Sequence, residues 1–439
     1  MEETYGAARS QLPELGAGEL LVLTPWYPSP AQPSSGAFVQ RTVEQLRRHF
    51  EITVLHTRMV RELPDQPLRQ LPGEHGLAHF QLDVWAPAGI TRQGAARAVR
   101  GQLAKYARAA LASAEVVHAH TGYPVAWGAA TLLAPTAHLV VTEHASYLPQ
   151  IASWPTTRRG YGHLLRRANA LVAVSEHLGA AIARTWPQHT ERIRIIANPV
   201  PVEAFHPRGT TPTKLRTWGT VSNLVSSKRV DLALAAFAHW TEFSDDDAAQ
   251  LRIIGDGGQR GALEREAVRL GVSDRVHFLG RLSPDDTLAE VGQLDLLVHL
   301  SDSETFGLAP LEAVLSRVPA VVTKTAGSAE VLAGAVAAEF AAFVPPGPQL
   351  SDVTGAVVGL EKTAAGVDWV ALRDDLVARY GGQQVGERLA AVLRGETEDT
   401  GGLVLSGGAG RNLRSTSAGM RQLPRYSLAA ARRLIRYAR

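Results

Sequence analysis

The sequence predicts an α/β protein of two Rossmann-like parallel-sheet domains facing each other across a cleft. Three observations predict it. From Glu19 onward, short apolar β-rich runs alternate with Ala/Leu/Arg-rich stretches of helical period. A Pro-, Thr- and Gly-rich break, NPVPVEAFHPRGTTPTK at 198–214, interrupts the alternation, which then restarts. The residues just after the strand candidates are polar or glycine in both halves. Near-continuous apolar strands joined by helices read as parallel sheets covered on both faces, with right-handed crossovers.

Taken in order, residues 1–18 are expected to be a flexible tail and 19–205 the first domain. Its strand candidates are LLVLTPW (21–27), ITVLHT (52–57), AHFQLDVW (78–85), EVVHAH (115–120), HLVVTEH (138–144), ALVAVS (170–175) and RIRIIAN (192–198). The second domain, 206–365, carries TWGTVSNL (217–224), LRIIGDG (251–257), RVHFLG (275–280), LDLLVHLS (294–301), PAVVTK (319–324) and EFAAFVPP (339–346). Residues 366–396 are amphipathic and expected to be helices crossing back to the N-terminal domain. The Gly/Ser/Thr-rich start of 397–439 reads as disorder, and PRYSLAAARRLIRYAR as a short basic amphipathic helix.

A chain of 439 residues exceeds what one hydrophobic core usually supports. It has no cysteine, which excludes disulfides and thiolate metal sites. The early acids of MEETYGAARSQLPELGAGEL do not suit a signal peptide, and no run has the length and apolarity of a membrane span. The net charge of +3 hides an asymmetry: residues 403–439 hold eight arginines and no acid, leaving 37 bases against 42 acids elsewhere. A nucleic-acid reading would rest on that tail alone. The expected location is the cytoplasm, with the tail offering peripheral membrane or protein contact as an alternative to solvated disorder.

Ligands of open parallel sheets bind beyond the carboxyl ends of the strands. In SDSETFGLAPLEA (301–313), Pro310 suits the first turn of a helix, and Gly307 lets its leading backbone approach a ligand closely. The amides of Phe306, Gly307 and Leu308 then bind an anion or sugar oxygens. Glu304 and Glu312, with seven residues between them, can each accept polyol hydroxyls; the plain alternative is two solvated carboxylates favouring a helix N-terminus. Lys228 and Arg229 follow a strand-to-helix loop and suit a diphosphate. GDGGQRG (255–261) fails the dinucleotide fingerprint because Arg260 stands where its third glycine belongs. Asp245-Asp246-Asp247 spells a metal-binding pattern but reads as a solvated loop.

Across nearly its whole folded length the chain resembles the retaining, GT-B-fold glycosyltransferases of family 4. The resemblance rests on GAFVQRTVEQL, VVHAHTGYPVAWGAA, VVTEHASY, ALVAVSEHL, RIRIIANPVPVEAFHP, VSNLVSSKRVDLALAAFA, LRIIGDGGQRGALE, RVHFLGRLSPDD and SETFGLAPLEA. It implies sugar transfer from a nucleotide diphosphate donor to an acceptor with retention, without metal or other cofactor. The donor would bind the C-terminal domain and the acceptor the N-terminal one. Glu312 then corresponds to the ribose-binding glutamate and Glu304 to its partner beside the donor sugar. Lys228 would lie on the diphosphate, backbone near Arg281 on the base, Gly36 and Gly255 near the phosphates, and His120 near the reacting carbon. Glu143, His144 and Tyr147 would touch the acceptor. Where the family has Gly-Arg, this chain has Ser222-Asn223, a neutral hydrogen-bonding side chain in place of a cation, which Arg229 is expected to offset. Two alternatives stay open: a catalytically weak nucleotide-sugar-binding or scaffold protein, and a GT-B-fold nucleotide-sugar epimerase. The sequence leaves open a UDP- or GDP-linked sugar as donor and a carbohydrate, lipid-linked or small-molecule acceptor.

Overall fold

The computed structural model describes residues 7–29, 32, 35–73, 76–145, 148, 152–242, 244 and 247–396. The basic tail, Tyr147, Asp245 and Asp246 lie outside the described residues. The chain groups into two units. The first is Met1–Tyr27, Val43–Ile196 and Gly386–Arg439; the second is Pro28–Thr42 and Ala197–Val385. The second unit therefore begins before residue 206 and also takes in Pro28–Thr42. Backbone pairing explains its early start: the Val200 amide donates to the Tyr380 carbonyl and the Gly382 amide to the Val200 carbonyl, both at 3.0 Å. Pro-rich composition marks a linker but does not show what it is bonded to.

The first unit is built on a nine-stranded sheet. Its strands are β1 Ala7–Ala8, β2 Leu20–Thr24, β3 Ile52–Val60, β4 Leu68–Leu71, β5 Ala78–Trp85, β6 Val116–His120, β7 His138–Glu143, β8 Ala170–Ala173 and β9 Ile193–Ile195. They lie in the order β1-β4-β5-β3-β2-β6-β7-β8-β9. From β5 to β9 every pairing is parallel, whereas β4 pairs antiparallel with β5 and with β1. That antiparallel edge departs from the all-parallel expectation. LRQL sits between prolines and is too short and polar to announce itself as a strand. Central strands are apolar because helices cover both faces, and all five residues of LLVLT in β2 are buried.

The second unit is built on a six-stranded, wholly parallel sheet. Its strands are β10 Thr217–Val221, β11 Gln250–Ile254, β12 Val276–Gly280, β13 Leu296–His299, β14 Ala320–Thr323 and β15 Ala341–Val344, in the order β12-β11-β10-β13-β14-β15. On one face, Trp218 of β10 is fully buried, with its ring edge-on to Phe237 at 5.6 Å. The stretch expected as helices from 366 is two, Trp369–Tyr380 and Gly382–Leu393, broken at Gly381. Among the described residues no helix is long and apolar enough to cross a membrane.

The strand order places the ligand-binding positions. In each sheet the winding reverses once: β3 and β6 flank β2, and β11 and β13 flank β10. At such a switch point the loops leave in opposite directions and open a crevice beyond the carboxyl ends. The loops so exposed follow β2 and β6 in one unit, and β10 and β13 in the other.

Candidate active site

In the second unit, the loops after β10 and β13 bring together residues far apart in sequence. Lys228 closes the short 3-10 turn Ser226–Lys228, and its Nζ donates to Glu304 Oε1 at 2.5 Å. The same oxygen lies 2.7 Å from Nε2 of His299, the last residue of β13. Burial disfavours ionisation of Glu304, but the His299 hydrogen bond and the Lys228 charge outweigh it and hold the carboxyl well below the usual carboxylate range. Glu304 is therefore a fixed carboxylate. Gly327 would carry a Cβ only 2.6 Å from the Glu304 carbonyl oxygen, so a glycine is needed there for its helix to back this loop.

Gly307 has φ of 96° and precedes the helix Leu308–Leu315, whose first turn contains Pro310. The leading amides of an α-helix have no intrahelical partner, so this end can receive an anion or a hydroxyl. Phe306 is buried edge-on against Tyr380 at 5.5 Å, which anchors the turn. Glu312, one turn in, is 6% exposed and ion-paired with Arg41 of helix Ala37–Leu46. The sequence does not single out Arg41, since no local pattern connects it to a residue so distant. A ribose at Glu312 would meet a carboxylate already oriented by a guanidinium. Gly36, just before that helix, has φ of 69° and accepts from the Val39 amide at 2.8 Å.

Two expectations change. Arg229, expected to offset the missing cation at 223, has its guanidinium paired with Asp231 at 3.2 Å and Asp302 at 3.6 Å. Asn223 is exposed. The requirement for Gly255 lies in packing: φ is 128°, and a Cβ would fall 1.9 Å from the Ser222 carbonyl oxygen. Arg281 is exposed directly after β12, where the base is expected to meet backbone.

In the first unit, His118 and His120 share one face of β6, with ring centroids 4.2 Å apart. His118 Nε2 lies 2.7 Å from Thr142 Oγ1, and His120 Nδ1 lies 3.0 Å from His144 Nε2. His144 is thus a partner of His120, whatever it does toward an acceptor. Glu143, expected at the acceptor, is buried and held by donors from three segments of the first unit. Its carboxylate accepts from Tyr161 Oη at 2.6 Å and from the amides of Gly122, His144 and Ala145. Burial raises its pKa against the lowering effect of these donors. Thr121 adopts φ of 69°, a strained value for a β-branched residue. His118 Nδ1, His120 Nε2 and Thr121 Oγ1 are buried without a hydrogen-bond partner among the described residues. Such atoms in one strand-end loop suit a polar ligand or water.

Burial keeps these imidazoles neutral. It lowers the pKa of His118 from 6.5 to about 3, that of His56 to about 3 and that of His79 to about 4. It is also the main reason that His120 falls well below 6.5. The unfolded chain takes up protons as pH falls through 6.5, while the folded chain does so only at much lower pH. The stabilisation is full above 6.5 and is lost as pH falls toward about 3. At ~1.4 kcal/mol per pKa unit, one such histidine accounts for several kcal/mol. Urea midpoints are expected to drop steeply from pH 7 to pH 4, with a shallower slope in His118→Gln.

Residues 35–204 match the family described as Glycosyltransferase Family 4, and residues 202–347 match Glycosyl transferases group 1. The chain belongs to the family 4, group 1 glycosyltransferases. This family 4 chain is 27% identical, over 50% of its length, to the N-acetyl-alpha-D-glucosaminyl L-malate synthase of Bacillus anthracis, and the match spans 58% of that relative. It is 24% identical, over 67% of its length, to the D-inositol 3-phosphate glycosyltransferase of Corynebacterium jeikeium, spanning 78% of it. Its fold is that of HepE from Anabaena, solved with UDP: TM-score 0.62 at 17% identity, covering 86% of this chain and all of that one. The architecture is GT-B.

Proposed function

We propose that this chain transfers a sugar from a uridine or guanosine diphosphate sugar to an acceptor hydroxyl, with retention at the anomeric carbon and no metal ion. The supporting observation is the Lys228–Glu304–His299 cluster beside the Gly307-led helix end, at the switch point of the second sheet. A diphosphate leaving group gathers negative charge as the anomeric C–O bond breaks. Lys228 and the amides after Gly307 are placed to stabilise it, and Glu304 and Glu312 to accept sugar and ribose hydroxyls. His120, kept neutral, can hydrogen-bond a hydroxyl without competing for the proton. Glu143 is engaged by Tyr161 and three backbone amides and so is not a free nucleophile. The resemblance to the retaining family implies a front-face transfer, and we adopt it: the acceptor oxygen bonds to the anomeric carbon while its proton passes to the departing phosphate oxygen.

We take the acceptor to be a small polar hydroxyl compound, in line with the L-malate and inositol 3-phosphate in the names of those two relatives. Asn223 and the committed Arg229 favour a second reading, a nucleotide-sugar-binding protein without turnover. Incubation with UDP- and GDP-sugars in the absence of acceptor separates the two. Slow release of nucleoside diphosphate, abolished by Lys228→Ala and by Glu312→Ala and unchanged by EDTA, is the expected result. Saturable binding without release under any acceptor would replace the enzyme by the binding protein.

A further inference from the structure

We propose that His299 is a positioning residue that locks the Glu304 carboxylate, to which Lys228 also donates. The proposal rests on the sugar-transfer reading for its consequence in turnover. His299 ends a strand that is otherwise Leu-Leu-Val and is 5% exposed. A polar ring there, in a strand covered on both faces, calls for a partner. That partner is Glu304 Oε1, at 2.7 Å, the oxygen that Lys228 Nζ also reaches. A carboxylate only accepts, so the imidazole must carry its hydrogen on Nε2.

The strand register says why a second donor is useful. β13 pairs with β10 so that Gly219 lies opposite Leu297, which sets His299 beside the end of β10, just before Ser222-Asn223. Asn223 is neutral and exposed, and Arg229 is held by Asp231 and Asp302. Of the described Lys and Arg side chains on these loops, Lys228 is the one that reaches Glu304, and a four-carbon stem fixes charge better than direction. An imidazole on a strand is rigid. It commits one carboxylate oxygen to the protein and leaves the geometry of the other defined for the sugar hydroxyls.

The test compares His299→Leu, which removes the donor, with His299→Gln, which can return an N–H near the Nε2 position. Donor hydrolysis should fall about ten- to a hundredfold in the leucine variant, the size of one charge-assisted hydrogen bond. Its affinity for UDP or GDP should stay within about twofold, because Glu304 is placed on the sugar and not on the diphosphate. The glutamine variant should retain turnover within about threefold. Wild-type turnover in His299→Leu, or equal impairment in His299→Gln, would overturn the role. A nitrogen-15 spectrum of the histidine-labelled chain reads the geometry without turnover. A protected Nε2–H signal that disappears in Glu304→Leu supports the lock, and its absence from the wild type contradicts it, whether or not the chain transfers sugar.

Discussion

Replacing Lys228 by alanine is expected to lower nucleotide-sugar turnover by about two to three orders of magnitude, the usual cost of deleting a preorganised charge at a leaving group. The removed ammonium is a quarter exposed and bonded to Glu304. Its loss leaves the half-buried Glu304 carboxylate with His299 alone. Nucleoside diphosphate affinity should fall as well, because the charge acts on the bound ground state and more strongly on the departing group. Lys228→Arg should rescue binding better than turnover: a guanidinium keeps the charge but cannot reproduce a point donor at this distance. Progress curves of nucleotide release, with parallel titrations of the diphosphate, separate the two effects.

Gly255→Ala is expected to destabilise the second unit by about 3 kcal/mol or more, since it combines a forbidden backbone region with a clash against main chain. The added Cβ would fall 1.9 Å from the Ser222 carbonyl oxygen at φ of 128°, where neither side can yield without separating the loops after β10 and β11. Gly101 makes the opposite case. It lies inside the helix Arg92–Tyr106, and an added Cβ there would have nothing within 4 Å. Gly101→Ala should stabilise by up to about 1 kcal/mol through the unfolded chain and helix propensity. Denaturant midpoints of the two variants should therefore move in opposite directions. Equal shifts would refute the packing assignment at Gly255.

Much of the fold was legible because strands buried on both faces are apolar and short, and their periodicity differs from that of the helices between them. Lys228, Glu304 and Gly307 were legible for a related reason: each breaks an apolar pattern just beyond a strand. What stayed hidden depended on distance or direction. β1 is too short and β4 too short and polar to register, and the pairing of Arg41 with Glu312 spans 271 residues. Glu143 looks like a ligand-binding carboxylate from its place at the end of β7, and only Tyr161, 18 residues on, shows that it is bonded within the protein. Arg229 reads as a free cation because a sequence does not display Asp231 and Asp302 folding onto it. His299 did leave a signal, an imidazole amid Leu and Val five residues before Glu304, but a lone histidine in a strand has many satisfied explanations.

The most direct measurement of the central claim is the thermal stability of the full chain across a panel of nucleoside diphosphates and their sugars. A ligand at a hundred times its dissociation constant adds about 2.7 kcal/mol to stability. The account predicts a saturable rise in melting temperature with at least one uridine or guanosine diphosphate, strongly reduced in Lys228→Ala and Glu312→Ala. No shift with any of them, or an undiminished shift in both variants, would contradict it.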